Sequence, residues 1–171
     1  MGGFTGYNSG VSSRKISDNI ISGNINGDNY VGLGTGFNGN NTAVGNITSV
    51  IVEGNVSGTN YIGGIVGYND SANIKGVIRG GSVVASGASR GRIYGGSYYG
   101  TRLNQALSSI TVNSSTVTSS DLVSNNGKDI TPGDLANQAT YTNVGFNFTD
   151  ETLDYIWYMD GSIIKFREGA S

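Results

Sequence analysis

The chain has no cysteine and no histidine, a single proline, and charged residues at only 13% of its 171 positions. Without cysteine it forms no disulfide and offers no thiolate. Without histidine it holds neither an HExxH zinc site nor a Ser-His-Asp triad. A net charge of −2 gives no general attraction to nucleic acid. No run approaches the roughly twenty apolar residues of a membrane span. No basic n-region or apolar h-region follows Met1-Gly2-Gly3-Phe4, so no signal peptide is visible. No motif asks for a cofactor or a metal.

Apolar residues, at 36%, fall below the globular average. Disorder is not the reason, because disordered chains combine low hydrophobicity with high net charge. Glycine is the reason, with 29 residues. A chain that turns tightly and repeatedly needs residues that accept positive φ and close backbone approach. Asparagine, serine and threonine supply turns and strand surfaces.

The glycines are ordered by a repeat. Tyr61-Ile62-Gly63-Gly64-Ile65-Val66-Gly67-Tyr68-Asn69 has an earlier copy in Tyr30-Val31-Gly32-Leu33-Gly34-Thr35-Gly36-Phe37-Asn38, thirty-one residues before it. The match extends upstream without a gap, Ile20–Asn29 onto Ile51–Asn60. A fixed period of this size, with short alternating apolar runs between Gly-Asn and Asn-Gly turns, reads as a parallel β-helix, or β-solenoid, of about three to four coils. The first repeat runs from about Val11 to Asn38, with Ile16, Ile20, Ile21, Ile25 and Val31 pointing inward. The second runs from about Asn40 to Asn69, with Val44, Ile47, Val50, Val52, Val56, Ile62 and Ile65 inward. A degenerate third begins at Ala72–Gly80, and Tyr94–Gly100 reads as its motif with one residue inserted. Ile110–Asn113 and Thr116–Thr118 close the last regular coil. Gly6-Tyr7-Asn8 matches the ends of both motifs, so the chain is expected to begin in mid-coil, as part of a longer protein, with an open N-terminal coil free to associate with another copy.

The all-β solenoid is expected over residues 1–124 and a C-terminal cap over 125–171. Thr131-Pro132-Gly133-Asp134 signals a short helix over 132–139, with Thr131 as N-cap. Asp160-Gly161 reads as the turn of a β-hairpin between Ile156–Met159 and Ser162–Phe166. The aromatic residues of this region, Trp157, Phe146 and Phe148 among them, are expected to form the core of the cap.

Tyr61–Gly67 resembles the GLUG motif, built on a glycine, an aliphatic residue, any residue and a glycine. Thr140-Tyr141, Phe146-Asn147-Phe148, Trp157 and Asp160-Gly161 resemble the segment that often follows such repeats. The resemblance implies a large bacterial surface or secreted protein, adhesin-like or the non-catalytic region of an IgA-cleaving protease type. Leu33-Gly34-Thr35-Gly36 departs from its double glycine.

Candidate chemistry is sparse. The glycine-rich motif lacks the lysine and helix of a phosphate loop and reads as a coil turn. Asp18, Asp28, Glu53 and Asp70 do not recur at one coil position; Asp28 aligns with Thr59 and Asp70 with Gly39. A carbohydrate-active β-helix hydrolase or lyase working through carboxylates is therefore the alternative reading rather than the leading one. Arg90, Arg92, Tyr94, Tyr98, Tyr99 and Arg102 form the one basic and aromatic cluster, suited to sugar rings or acidic groups. Asparagines in the Asn-x-Ser/Thr sequences are expected to stack at turns between coils. The leading function is a non-enzymatic structural or adhesive module at a bacterial cell surface, with glycan or protein partners.

Overall fold

The structure is a computed structural model that describes residues 1–8, 15–39, 46–98, 100, 102–148 and 155–168; for Tyr155, Ile156, Arg167 and Glu168 it describes the backbone alone. The expectations for Val11, Val44 and Tyr99 lie outside the described residues.

The chain winds into a parallel β-solenoid of about three turns. After β1 (Thr5–Asn8), the first turn consists of β2 (Lys15–Ser22), β3 (Ile25–Asn26), β4 (Asn29–Val31) and β5 (Thr35–Asn38). The second has β6 (Asn46–Gly58), β7 (Asn60–Gly63) and β8 (Val66–Asn69), and the third β9 (Ile74–Ala85), β10 (Arg90–Gly91) and β11 (Tyr94–Ser97). Equivalent strands of successive turns pair in parallel and build three walls: β2/β3–β6–β9, β4–β7–β10 and β1–β5–β8–β11.

The thirty-one-residue offset is the physical register of the first two turns. Ile16 pairs with Ile47, Ile21 with Val52, Ile25 with Val56, Val31 with Ile62 and Asn38 with Asn69. Like residues therefore stand one coil apart, about 4.8 Å along the axis. Val31, Ile47, Val50, Val52, Ile62 and Ile65 are fully buried in the central core, each adding roughly 1.5–3 kcal/mol of transfer free energy. Ile20, expected inward, is instead 43% exposed. The left-handed turn of Asp18 (φ 56°) interrupts the alternation of β2 and leaves Ile20 on the outer face.

The departure from double glycine at Leu33-Gly34 has a packing cause. Register places Leu33 over Gly64 and Gly34 over Ile65, so each large side chain stands on a glycine of the adjoining turn. A Cβ at Gly64 would lie 2.6 Å from Ile78 Cδ1, and one at Gly34 3.4 Å from Ile65 Cγ2.

The third turn corrects the expected register. Arg90 pairs with Ile62 and Tyr94 with Val66, an offset of twenty-eight, so the third motif is Ser89–Ser97 rather than Tyr94–Gly100. The shortening lies in the connection before β9, which spans 70–73 where the previous turn uses 39–45. Beyond it, β12 (Arg102–Leu107) and β13 (Thr111–Val112) add to β9. Asn113 and Ser114, at φ 51° and 62°, then reverse the chain into β14 (Ser115–Thr116), which runs antiparallel to β13. This reversal ends regular winding where another strand of the last coil was expected. β15 (Lys128–Ile130) pairs in parallel with β12, so the wall continues past residue 124.

The C-terminal segment does not sit simply over the end of the solenoid. Ser49 Oγ donates to the Gly145 carbonyl at 3.1 Å, and Trp157 Nε1 reaches Asp18 of the first turn. The segment thus runs back along the β2–β6–β9 wall. That wall needs cover, because Val50, Ile51 and Val52 are three consecutive residues with no exposure, apolar on both faces. The helix expected over 132–139 is two shorter pieces, a 3-10 turn at Asp134–Ala136 and α1 at Gln138–Thr142. Gly133 rather than the expected Thr131 is the N-cap of the 3-10 turn, although Thr131 and Asp134 hydrogen-bond each other; Asn137 adopts an extended conformation, and its side chain caps α1 anew by accepting from Ala139 N. β16 (Tyr155–Asp160) and β17 (Ile163–Glu168) form the expected hairpin around Gly161 at φ 59°. Trp157, Phe146 and Tyr141 are buried, with edge-to-face contacts at 4.9 and 5.5 Å.

Candidate functional site

The expected arginine–tyrosine cluster divides. Arg92 stands where the other turns have Leu33 and Gly64, and its side chain has no exposure. Its guanidinium donates to the carbonyls of Asn126 (3.0 Å), Leu107 (3.3 Å) and Gly127 (3.3 Å) and to the Asp129 carboxylate. It plugs the core at the last turn and is not presented to a ligand. Tyr94 is buried, its hydroxyl donates to the Val123 carbonyl at 3.0 Å, and the Arg102 guanidinium lies 5.5 Å from its ring centre. Burial, only partly opposed by Arg102, pushes the Tyr94 phenol up from its ordinary value. Arg90 is half-buried and donates to the Gly87 carbonyl. Among the described members of the cluster, only Tyr98 is open, at 64% exposure.

A surface the sequence reading did not single out lies on the neighbouring corner. Parallel register stacks Tyr7 on Phe37 at 4.9 Å, Phe37 on Tyr68 at 5.6 Å, and Tyr30 on Tyr61 at 5.0 Å with planes 9° apart. The two columns meet edge to face, Tyr61 against Tyr68 at 5.2 Å. Tyr7 and Tyr30 are 57% and 41% exposed. Tyr30 and Tyr61 hold φ of 54° and 56°, a conformation costly for a bulky residue that persists only where the surroundings impose it. The ladder ends at the third turn, where Ser89 and Gly96 take the aromatic positions; a Cβ at Gly96 would lie 2.8 Å from Tyr61 Cδ1. Burial, then Asp70 and the neighbouring tyrosines, raise the Tyr68 phenol. The signal for this surface was in the repeat itself: aromatics at equal coil positions must stack when the register is parallel.

Beside the β3-to-β4 corner runs an open groove of about 560 Å³, lined by Asn26, Gly27, Ser57, Gly58, Thr59, Val84, Ala85, Ser86, Asn113 and Ser114. Elsewhere asparagines stack between coils; of those in Asn-x-Ser/Thr sequences, Asn69 and Asn55 do so, bonded to Asn38 and Asn24 of the adjoining turn. Asn8 Nδ2 donates to Asn38 Oδ1 at 2.8 Å, Asn38 Nδ2 to Asn69 Oδ1 at 2.9 Å, and Asn60 Nδ2 to Asn29 Oδ1 at 3.2 Å.

Each described carboxylate has a hydrogen-bonding role within the fold. Asp129 serves Arg92, Glu53 pairs with Arg79 at 2.8 Å, and Asp18 accepts from Trp157. Asp28 accepts from Asn29, Asp70 from Ser71, Asp121 from Val123 N, Asp134 from Thr131 and Asp160 from Lys165. Among the described residues no cluster of acidic side chains could hold a metal ion, and no helix is long and apolar enough to cross a membrane.

Compared with known proteins, the chain matches no family model, no curated protein and no solved structure.

Proposed function

We propose that this chain is a non-enzymatic, structural and adhesive β-solenoid module of a bacterial cell-surface protein, displayed outside the cell as part of a longer polypeptide. The observation that carries this reading is the exposed aromatic ladder of Tyr7, Tyr30, Phe37, Tyr61 and Tyr68. Contiguous aromatic surface of this kind is the usual mark of an interaction site. Each stacked ring spends at least one face on its neighbour in the column, so a partner meets largely ring edges and phenolic oxygens. None of the four phenols donates to another described residue, which leaves them for a glycan or a protein surface.

The GLUG-like motif of Tyr61–Gly67 supports the same placement, and the structural duties of the carboxylates support binding over hydrolysis or elimination. A rigid coil repeats its contacts along one axis and suits weak, multivalent attachment. Self-association through the first turn, whose β1, β2 and β4 each lie at the edge of a sheet, belongs to this reading as well.

The test is attachment of the purified chain to bacterial and host cells and to immobilised surface glycans, with Tyr30→Ala and Tyr61→Ala beside the parent. Both substitutions should weaken attachment. Unchanged attachment would reject the ladder as the contact surface, and release of reducing or unsaturated sugar ends would favour a hydrolase or lyase instead.

A further inference from the structure

We infer that the axial groove beside the β3-to-β4 corner binds a neutral glycan chain lying along the solenoid axis. The inference rests on the adhesive reading and names a site and a ligand class for it.

The groove is built by register. Asn26 pairs with Ser57, and Ser57 with Val84, so one outward-facing column crosses successive turns. Thr59, Ser86 and Ser114 flank it. One column over, at Asn24, Asn55 and Ser82, the side chains bond to one another, with Asn55 Nδ2 to Asn24 Oδ1 at 3.0 Å and Ser82 Oγ to Asn55 Oδ1 at 2.9 Å. In the groove they do not: the side chains of Asn26, Ser57, Thr59, Ser86 and Ser114 hold no hydrogen bond to another described residue. They are uncommitted amides and hydroxyls, able both to donate and to accept.

The chemistry selects the ligand. Among the described residues no charged side chain lines the groove, so a uronic-acid polymer, a nucleic acid or a phosphorylated headgroup meets no counter-charge from them. A hydroxyl-rich neutral chain finds complementary donors and acceptors, and Val84, 48% exposed, offers an apolar contact to the C–H face of a sugar ring. The column repeats at about 4.8 Å, so consecutive sugar units meet the same coil position on consecutive turns, an amide at Asn26, a hydroxyl at Ser57 and the apolar Val84. Such binding is weak per unit and grows with ligand length.

The test is calorimetric titration of the whole chain with neutral glucan, mannan and chitin-type oligosaccharides of increasing length, and with uronic-acid oligomers for comparison. Val84→Lys and Ser57→Arg fill the groove from outward-facing positions, while Val84→Thr keeps its shape; thermal unfolding verifies the fold of each. The parent should bind at least one neutral series, more tightly as the chain lengthens. The two blocking variants should lose about tenfold in affinity and Val84→Thr should not. Equal binding by parent and blocking variants overturns the inference, as does binding confined to uronic-acid oligomers. Binding lost in Tyr30→Ala or Tyr61→Ala but kept in the groove variants sinks the groove and leaves the adhesive reading standing. Failure to bind any glycan, with cell attachment retained, also sinks the groove alone. Failure of both rejects the two together.

Discussion

Trp157 Nε1 donates a hydrogen bond to Asp18 Oδ1 at 3.0 Å, joining residues 139 positions apart. The indole is fully buried. Asp18 sits in a left-handed turn that breaks the outer face of β2, and that break presents the carboxylate to the hairpin. One short-range strain thereby serves one long-range contact. Asp18→Ala leaves a buried donor without a partner, at a cost of about 1–3 kcal/mol. Asp18→Asn keeps both an acceptor and a residue tolerant of positive φ, and should cost clearly less. Urea unfolding of the two variants measures the difference; equal stabilities would show that the contact contributes nothing.

Arg92 carries a similar burden at the last turn. It spans three carbonyls and a carboxylate from within the core. Arg92→Leu restores the residue type that Leu33 provides in the first turn, yet leaves Asp129 without its cation. Asp129 is a quarter exposed and keeps its bond from Ser119 N, so the loss should fall below the roughly 3–5 kcal/mol of a fully buried pair broken from one side. Arg92→Lys should recover little, because a single ammonium cannot reproduce the guanidinium fork. Amide hydrogen exchange should then rise first around residues 126–129, where the guanidinium bonds Asn126, Gly127 and Asp129.

These cases mark where the sequence was legible. Tyr30–Asn38 and Tyr61–Asn69 could be aligned by eye because backbone pairing preserves their offset residue by residue. The Asp160-Gly161 turn was equally plain, since a tight hairpin depends on local backbone freedom. The third turn was not. Its connection is shorter, arginines stand at apolar positions, and Ser89 replaces the tyrosine, so Tyr94 drew the alignment to the wrong place. The position of the C-terminal segment was hidden for a different reason. Val50-Ile51-Val52 shows that both faces of β6 are covered, but not by which part of the chain. The aromatic ladder was present in the repeat and follows from parallel pairing; what the sequence did not announce is the left-handed backbone of Tyr30 and Tyr61, which sets the direction of those rings.

Glycine positions provide a sharp contrast in packing. A Cβ at Gly64 would meet the Arg92 carbonyl oxygen at 2.4 Å, whereas one at Gly6 would meet nothing within 4 Å. Gly64→Ala must push the second and third turns apart and should lower stability by about 1–3 kcal/mol. Gly6→Ala should leave it within about 0.5 kcal/mol. Parallel thermal unfolding of the two variants is sufficient; comparable losses would contradict the assigned register.

Alkaline pH should unfold the chain by a route that the tyrosines define. Burial raises the phenols of Tyr68, Tyr94 and Tyr141 above their ordinary value. The unfolded chain therefore releases these protons first. Their contribution is intact below the unfolded tyrosine value of about 10 and is lost as pH rises above it toward the folded values. Tyr141→Phe removes one such group together with its bond to the Leu135 carbonyl. It should be less stable than the parent at neutral pH and lose less further stability on going to alkaline pH. Denaturant titrations at neutral and alkaline pH, with phenolate absorbance followed in parallel, measure both effects.

The asparagine ladder makes the most demanding prediction, because its members are buried and bonded in one direction. Asn8 donates to Asn38, Asn38 to Asn69, and Asn69 to the Ala72 carbonyl at 2.9 Å. Each amide polarises the next, so the chain is worth more than its separate bonds. Asn38→Ala removes the middle member, takes the Asn38 amide from Asn69 and strands the Asn8 donor, at about 1–3 kcal/mol for a group left buried without a partner. Asn38→Asp should be worse at neutral pH: it still accepts from Asn8 but turns a carboxylate oxygen toward the Asn69 oxygen. Lowering the pH to protonate that carboxylate restores a donor, so the penalty relative to the parent should shrink in acid. Asn55→Ala, in the exposed ladder with Asn24 and Ser82, should cost under about 1 kcal/mol because water replaces its partners. If Asn38→Ala and Asn55→Ala proved equally mild, burial of the ladder would not be what holds the turns in register.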